Sequence, residues 1–207
     1  MESFERELFA LTAEYQGQYP RPWMTDLRDP REANCFIVGR NQRQGYDSSR
    51  VGSQKRHVDA LLNRNGMTCR GLYDSMFDAS PTRRNIDRLS RRLRDGGAKV
   101  LETNVICFSS PMSGDLSSSQ RQQGKQIFRW LVDRISPAVI IVHGAGAAKD
   151  LRDVDTGSAV IIEMEALAPP QYNKWAGAAE SGQWSRKSEE RLDEVAAKAL
   201  TQLGLKG

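Results

Sequence analysis

The sequence predicts an α/β fold, a three-layer sandwich in which a mainly parallel four-stranded sheet carries helices on both faces. Three observations predict it. Short apolar runs rich in Val and Ile, at 34–38, 99–108, 138–142 and 159–162, read as strands buried on both faces. The stretches between them repeat their apolar residues at helical spacing. Strands that alternate with helices imply right-handed βαβ crossovers, which make neighbouring strands parallel. With 207 residues, 39% apolar content and no repeat or low-complexity block, a single domain over 1–207 is the economical reading.

In chain order, Glu2 to Tyr15 sets Phe4, Leu8, Leu11 and Tyr15 on one helical face, and Tyr19-Pro20-Arg21-Pro22-Trp23 ends that pattern. Asn34 to Val38 forms the first strand, and the polar loop Gly39 to Tyr46 leaves it. His57 to Asn65 is a helix with Val58, Leu61 and Leu62 inward and Gly66 as its cap. A further helix over Asp87 to Arg94 turns Ile86, Leu89 and Leu93 inward and stops at Gly96-Gly97. The strand Lys99 to Phe108 has Asn104 as its conspicuous polar interruption and leads into the loop Ser109 to Ser119. Gln120 to Ile135 buries Ile127, Trp130, Leu131 and Ile135. Pro137 then introduces the strand Ala138 to Val142, whose end, His143-Gly144-Ala145-Gly146, opens a short helix to Leu151. Ala159 to Ile162 is the fourth strand. The last helix, Ser188 to Leu203, packs Leu192, Val195, Ala199 and Leu203 on the sheet.

Charge and cysteine content narrow the function classes. Thirty basic against 26 acidic residues leave a net charge of +4, which suits a polyanionic partner without a histone-like excess. The cluster Arg83, Arg84, Arg88, Arg91, Arg92 and Arg94 reads as a solvated helix face. Cys35, Cys69 and Cys107 lack CxxC or CxxH spacing, so buried free thiols are expected, with no metal and no iron–sulfur cluster. No signal-peptide pattern and no membrane-length apolar run occur, so a soluble, cytoplasmic protein without membrane attachment is expected. Gly144-Ala145-Gly146-Ala147 lacks the full dinucleotide-binding pattern.

Open parallel sheets bind ligands at the carboxyl edge of their strands, where the strand-exit loops gather. Asn41, Asn104, His143 and the Pro169-Pro170 loop are therefore expected to line one cleft. A carboxamide offers both donors and an acceptor, so Asn104 is suited to reading the edge of a planar base. For His143 a structural role at a helix start is expected, and for His57 simple exposure on its helix.

Residues 34–175 resemble the uracil-DNA glycosylase superfamily, nearest to the branches whose first motif reads Gly-x-Asn-Pro. The matches are Gly39-Arg40-Asn41-Gln42, then Thr103-Asn104-Val105-Ile106-Cys107-Phe108, then the run from Pro137 to Ala148, in the family's order and spacing. The resemblance implies that Asn41 orients the attacking water and that Asn104 reads a flipped uracil or related base. Gly39, Arg40, Gln42 and Tyr46 would complete the base site, with Tyr46 supplying a stacking face or excluding a 5-methyl group. It further implies a monofunctional hydrolase acting on the N-glycosidic bond in single- or double-stranded DNA, without a cofactor and as a monomer. The chain departs from the family at Gln42, where proline is usual, in lacking a stacking phenylalanine after the loop, and in lacking the histidine of the final motif near Leu167 to Trp175. In that last stretch Gln171, Tyr172 and Lys174 are expected to contact nucleic acid. These departures support an alternative, a catalytically lapsed relative that binds nucleic acid or a base-like ligand without cleaving it.

Overall fold

A computed structural model describes residues 3–167 and 186–205. Its centre is a four-stranded sheet built from β2 (Cys35–Gln42), β4 (Val100–Ser109), β5 (Val139–His143) and β6 (Val160–Met164). The strands run in the order β4-β2-β5-β6 and every pairing is parallel. A separate two-stranded antiparallel ribbon joins β1 (Gln18–Tyr19) to β3 (Tyr46–Asp47). The helices are α1 (Ser3–Leu11), α2 (Ser48–Val51), α3 (Gln54–Leu61), α4 (Cys69–Asp74), α5 (Pro81–Asp95), α6 (Ser118–Ile135), α7 (Ala145–Leu151) and α8 (Arg186–Gln202). None of the helices in the described residues is long and apolar enough to cross a membrane.

Alternation along the strands divides the core into two layers, because successive side chains leave a strand on opposite faces. Phe36, Val38, Leu101, Ile140 and Val142 pack with residues of α1, α3, α4, α6 and α7. Cys35, Ile37, Val100, Val139, Ile141 and Ile162 pack with α5 and α8. Residues Val139–Val142 are fully buried, as expected of a central parallel strand covered from both sides. Complete burial of a Val or Ile side chain contributes about 1.5–3 kcal/mol, so this short strand anchors both layers. At Gly124 of α6 a Cβ would lie 2.8 Å from the Ile106 side chain and 3.0 Å from the Cys107 amide nitrogen, so a glycine lets this helix settle directly on β4.

Local chemistry sets the helix starts. Ser80 accepts a hydrogen bond from the Arg83 amide with Pro81 in the first turn, so α5 begins at Pro81, well before the periodic residues at 87–94. Ser117 and Gln120 form a reciprocal capping box that starts α6 at Ser118. Ser53 accepts from the Arg56 amide, which moves the start of α3 back to Gln54. Apolar periodicity misses α4 altogether. It spans only six residues and depends on Thr68, whose hydroxyl accepts from the Gly71 amide.

Two expectations about charged and polar groups are corrected. His57 is fully buried, not exposed. Its Nε2 lies 2.9 Å from the Pro20 carbonyl oxygen and its ring is flanked by Tyr19 and Tyr46. The arginines of α5 are not simply a solvated face: Arg83 is buried against Glu102 and Asp87, Arg92 pairs with Glu189 and Asp193, and Arg94 pairs with Asp26. Cys35, Cys69 and Cys107 are buried free thiols, and burial pushes Cys35 and Cys107 up to about 12 and Cys69 to about 11.

Candidate functional site

The four strands end on one edge of the sheet, and a cavity of about 1090 Å³ opens there. It is lined by residues of β2 and β4, the first turn of α5, the turn from β5 into α7, and Arg21 and Tyr73.

Gly39 is the pivot of this lining. It pairs in register with Asn104 on β4, and a Cβ at Gly39 would sit 2.6 Å from Asn104 Oδ1 and 3.1 Å from His143 Nε2. The absent side chain therefore leaves the space into which a carboxamide from one neighbouring strand and an imidazole from the other converge. Neither the Asn104 carboxamide nor the His143 ring has a hydrogen-bond partner among the described residues, although partly buried polar groups are ordinarily paired. Asn104 lies in the middle of β4, not at its end. It reaches the cavity because the strand beside it carries no side chain at Gly39. His143, read from sequence as structural, lines this cavity as well. Burial pushes its pKa down to about 4, with the Arg83 charge acting in the same direction, so the ring is neutral at physiological pH.

Asn41 follows on the same strand. Its Nδ2 donates to the Gln42 carbonyl and to Ser110 Oγ, both at 3.1 Å. With the nitrogen committed to protein, what Asn41 can offer a ligand or a water is its carbonyl oxygen, an acceptor. The register of β2 against β4 slips between Asn41 and Gln42, and this irregularity turns the exit loop over the cavity. Gln42 is buried, and its Nε2 donates to the Arg21 carbonyl at 2.7 Å. It ties the loop to the segment between two prolines. Arg40 also lines the cavity and donates through Nε to Asp150 at 2.8 Å, lying across Gly146 of α7.

Tyr46 does not serve as the stacking face. It is 1% exposed, donates its hydroxyl to the Cys69 carbonyl and lies outside the cavity lining, because its ribbon partner Tyr19 and the ring of His57 hold it inward. The aromatic residue in the cavity lining is Tyr73 of α4, itself only 4% exposed, with the Arg21 guanidinium 5.3 Å from its ring centre and its hydroxyl bonded to Gln44. Sequence reading missed both residues. Tyr73 sits on the short helix that periodicity did not reveal, and Arg21 sits in a Pro-Arg-Pro break that read only as irregular.

Arg83 and Glu102, also in the cavity lining, belong to an ion network. Arg83 Nη1 meets Glu102 Oε2 at 2.6 Å and Arg83 Nη2 meets Asp87 at 2.8 Å, while Arg70 reaches Asp87 from α4 at 2.6 Å. Buried charges persist when paired in this way, and here they lock α4 and α5 to β4 beside the cavity. Among the described residues no group of His, Cys, Asp and Glu is arranged to hold a metal ion. Gln171, Tyr172 and Lys174 lie outside the described residues. Compared with protein-family models and with curated proteins, the chain matches none.

Proposed function

We propose that the protein is a DNA glycosylase-like hydrolase that binds an extruded uracil or a related modified base and cleaves its N-glycosidic bond. The observation that carries this reading is the convergence of the uncommitted Asn104 carboxamide and the neutral His143 imidazole over Gly39, at the edge where a parallel sheet takes its ligand. A carboxamide pairs with both a donor and an acceptor on a planar edge, which is what a pyrimidine presents once it is unstacked. Arg21, its guanidinium 5.3 Å from the centres of both the Tyr46 and Tyr73 rings, supplies a fixed positive charge to the cavity lining. An amide is no general base, so Asn41 orients a water through its carbonyl oxygen. The bond breaks dissociatively, and a neutral imidazole N–H at His143 stabilises charge that develops on the departing base. His143 thereby takes the part left open by the missing final-motif histidine.

One observation favours the binding-only alternative. Both carboxylates at the cavity wall are committed to arginines, Glu102 to Arg83 at 2.6 Å and Glu165 to Arg191 at 3.3 Å, so neither is free to activate water. Incubation with uracil-containing single-stranded and duplex oligonucleotides, followed by alkaline cleavage of abasic sites, separates the two. Strand scission that disappears in Asn104→Ala and His143→Ala supports the glycosylase. Retained binding of the oligonucleotide with no scission by the wild type supports the lapsed relative.

A further inference from the structure

The segment Pro20-Arg21-Pro22 brings an arginine to the cavity on a pinned backbone. The Pro20 carbonyl oxygen lies 2.9 Å from His57 Nε2, the Arg21 amide donates to the Cys107 carbonyl at 3.0 Å, Gln42 Nε2 donates to the Arg21 carbonyl at 2.7 Å, and Thr103 Oγ1 donates to the Pro22 carbonyl. The rings of Tyr46 and Tyr73 fix the guanidinium as well, each with its centre 5.3 Å away. Arg21 Nη1 is buried without a hydrogen-bond partner, and the side chain makes no ion pair among the described residues. The carboxylates of the cavity lining are already taken, Glu102 by Arg83 and Glu165 by Arg191. Buried polar nitrogens are ordinarily paired, and leaving a charged one unpaired costs more than leaving a neutral one. Other groups near Tyr73 are donors too. Gln44 Oε1 accepts from the Tyr73 hydroxyl, so Gln44 has only its NH2 group left for a ligand. Ser80, Pro81 and Thr82 line the same cavity with the positive end of a 15-residue helix, α5.

We infer that Arg21 and Gln44 form a phosphate subsite inside this cavity and that a free pyrimidine nucleoside monophosphate is a ligand, its phosphate on Arg21 and its base at Asn104 and His143, which rests on the base-site reading above. Donors without acceptors match an anion whose outer atoms are all acceptors, and a guanidinium meets a phosphate through two parallel hydrogen bonds. The pinned backbone and flanking rings order the arginine before binding, so little conformational entropy is lost when the anion arrives. Arg21 is anchored at Gln42 and Cys107, each three residues beyond Gly39 and Asn104 on its own strand, which is about 10 Å at about 3.3 Å per residue. The two subsites are thereby set apart along the strands, as base and phosphate are set apart by the sugar between them. A cavity of about 1090 Å³ lies at the upper end of ligand pockets, which span about 300–1,000 Å³, and has room for a whole nucleotide as well as for a base.

The test titrates the full chain with deoxyuridine, deoxyuridine 5′-monophosphate, inorganic phosphate and a single-stranded oligonucleotide carrying one internal uracil. The wild type is expected to bind the monophosphate about tenfold or more tighter than deoxyuridine, with inorganic phosphate displacing it. This comparison needs no variant. Arg21→Gln should erase the difference by weakening the monophosphate, and Gln44→Leu, which leaves the guanidinium in place, should reduce it by a smaller factor. Equal affinity of the wild type for deoxyuridine and its monophosphate overturns the free nucleotide as ligand. If Arg21→Gln then still weakens the oligonucleotide, the phosphate held is one within a strand; if it does not, the subsite falls and the base site stands. Arg21-dependent binding of inorganic phosphate by a protein that binds neither deoxyuridine nor the oligonucleotide keeps the phosphate subsite and overturns the base reading, and with it the nucleotide. Failure of the wild type to bind any of these probes overturns both.

Discussion

Substituting alanine at Gly39 should separate folding from function. The backbone there is not in the left-handed region, so alanine is allowed, and loss of glycine's freedom in the unfolded chain favours folding by about 0.4–1 kcal/mol. The cost falls on the site. The new methyl would stand 2.6 Å from Asn104 Oδ1, whereas a relaxed carbon–oxygen contact is about 3.3–3.6 Å. The carboxamide must therefore withdraw by roughly 0.7–1 Å, and the His143 ring, 3.1 Å from the same point, must also give. Both groups are side-chain ends, so the sheet can absorb the change while the space between them closes. A misplacement of about 1 Å in a positioned group costs on the order of 100-fold in rate. The assay is single-turnover uracil excision alongside thermal denaturation. Excision down about 100-fold with an unchanged or slightly raised melting temperature is the expected result. A folded Gly39→Ala protein with wild-type excision would refute the assignment of the Gly39, Asn104 and His143 constellation as the site.

Asn104→Asp removes the amide N–H donors, and preference is expected to move from uracil toward a donor-bearing base such as cytosine, by about 1–3 kcal/mol of discrimination. Competition between the two bases reads this directly, and unchanged preference would make Asn104 structural. Burial pushes His57 down to about 4 from 6.5, so between these values the unfolded chain binds the extra proton. Stability should accordingly fall as pH drops from 6.5 to 4, by up to about 3 kcal/mol from this residue, and then level off. Denaturant titrations across that range should show a shallower decline for His57→Gln, and an equal decline in both proteins would contradict the buried neutral assignment. Arg83→Met leaves Glu102 buried without its partner and should cost about 3–5 kcal/mol. Urea unfolding that shows less than about 1 kcal/mol would mean that water already reaches the pair.

Apolar periodicity by itself determined the layered α/β class, all four strands of the central sheet and the longer helices that cover them, but not α4. Burying a strand on both faces demands a run such as Val139 to Val142, and that demand is local in sequence. The shared exit edge was legible for the same reason: parallel strands bring Asn41 and His143 to one side whatever the detailed packing, whereas Asn104, mid-strand on β4, reaches it only through the gap at Gly39. Element boundaries were less legible, because caps such as Ser80 and Thr68 carry little periodic signal and decide where α5 and α4 begin. Only the tertiary structure decided which groups are committed and which are free. Tyr46 is drawn inward by contacts with Tyr19 and His57, Tyr73 comes to the cavity on a helix six residues long, and Arg83 finds Glu102 across 19 positions of chain. Each of these follows from distances between segments far apart in sequence, and no pattern within a segment encodes them. The gap at Gly39 has the same origin: a glycine in a strand has meaning only through the Asn104 and His143 side chains that neighbouring strands point into the space it leaves.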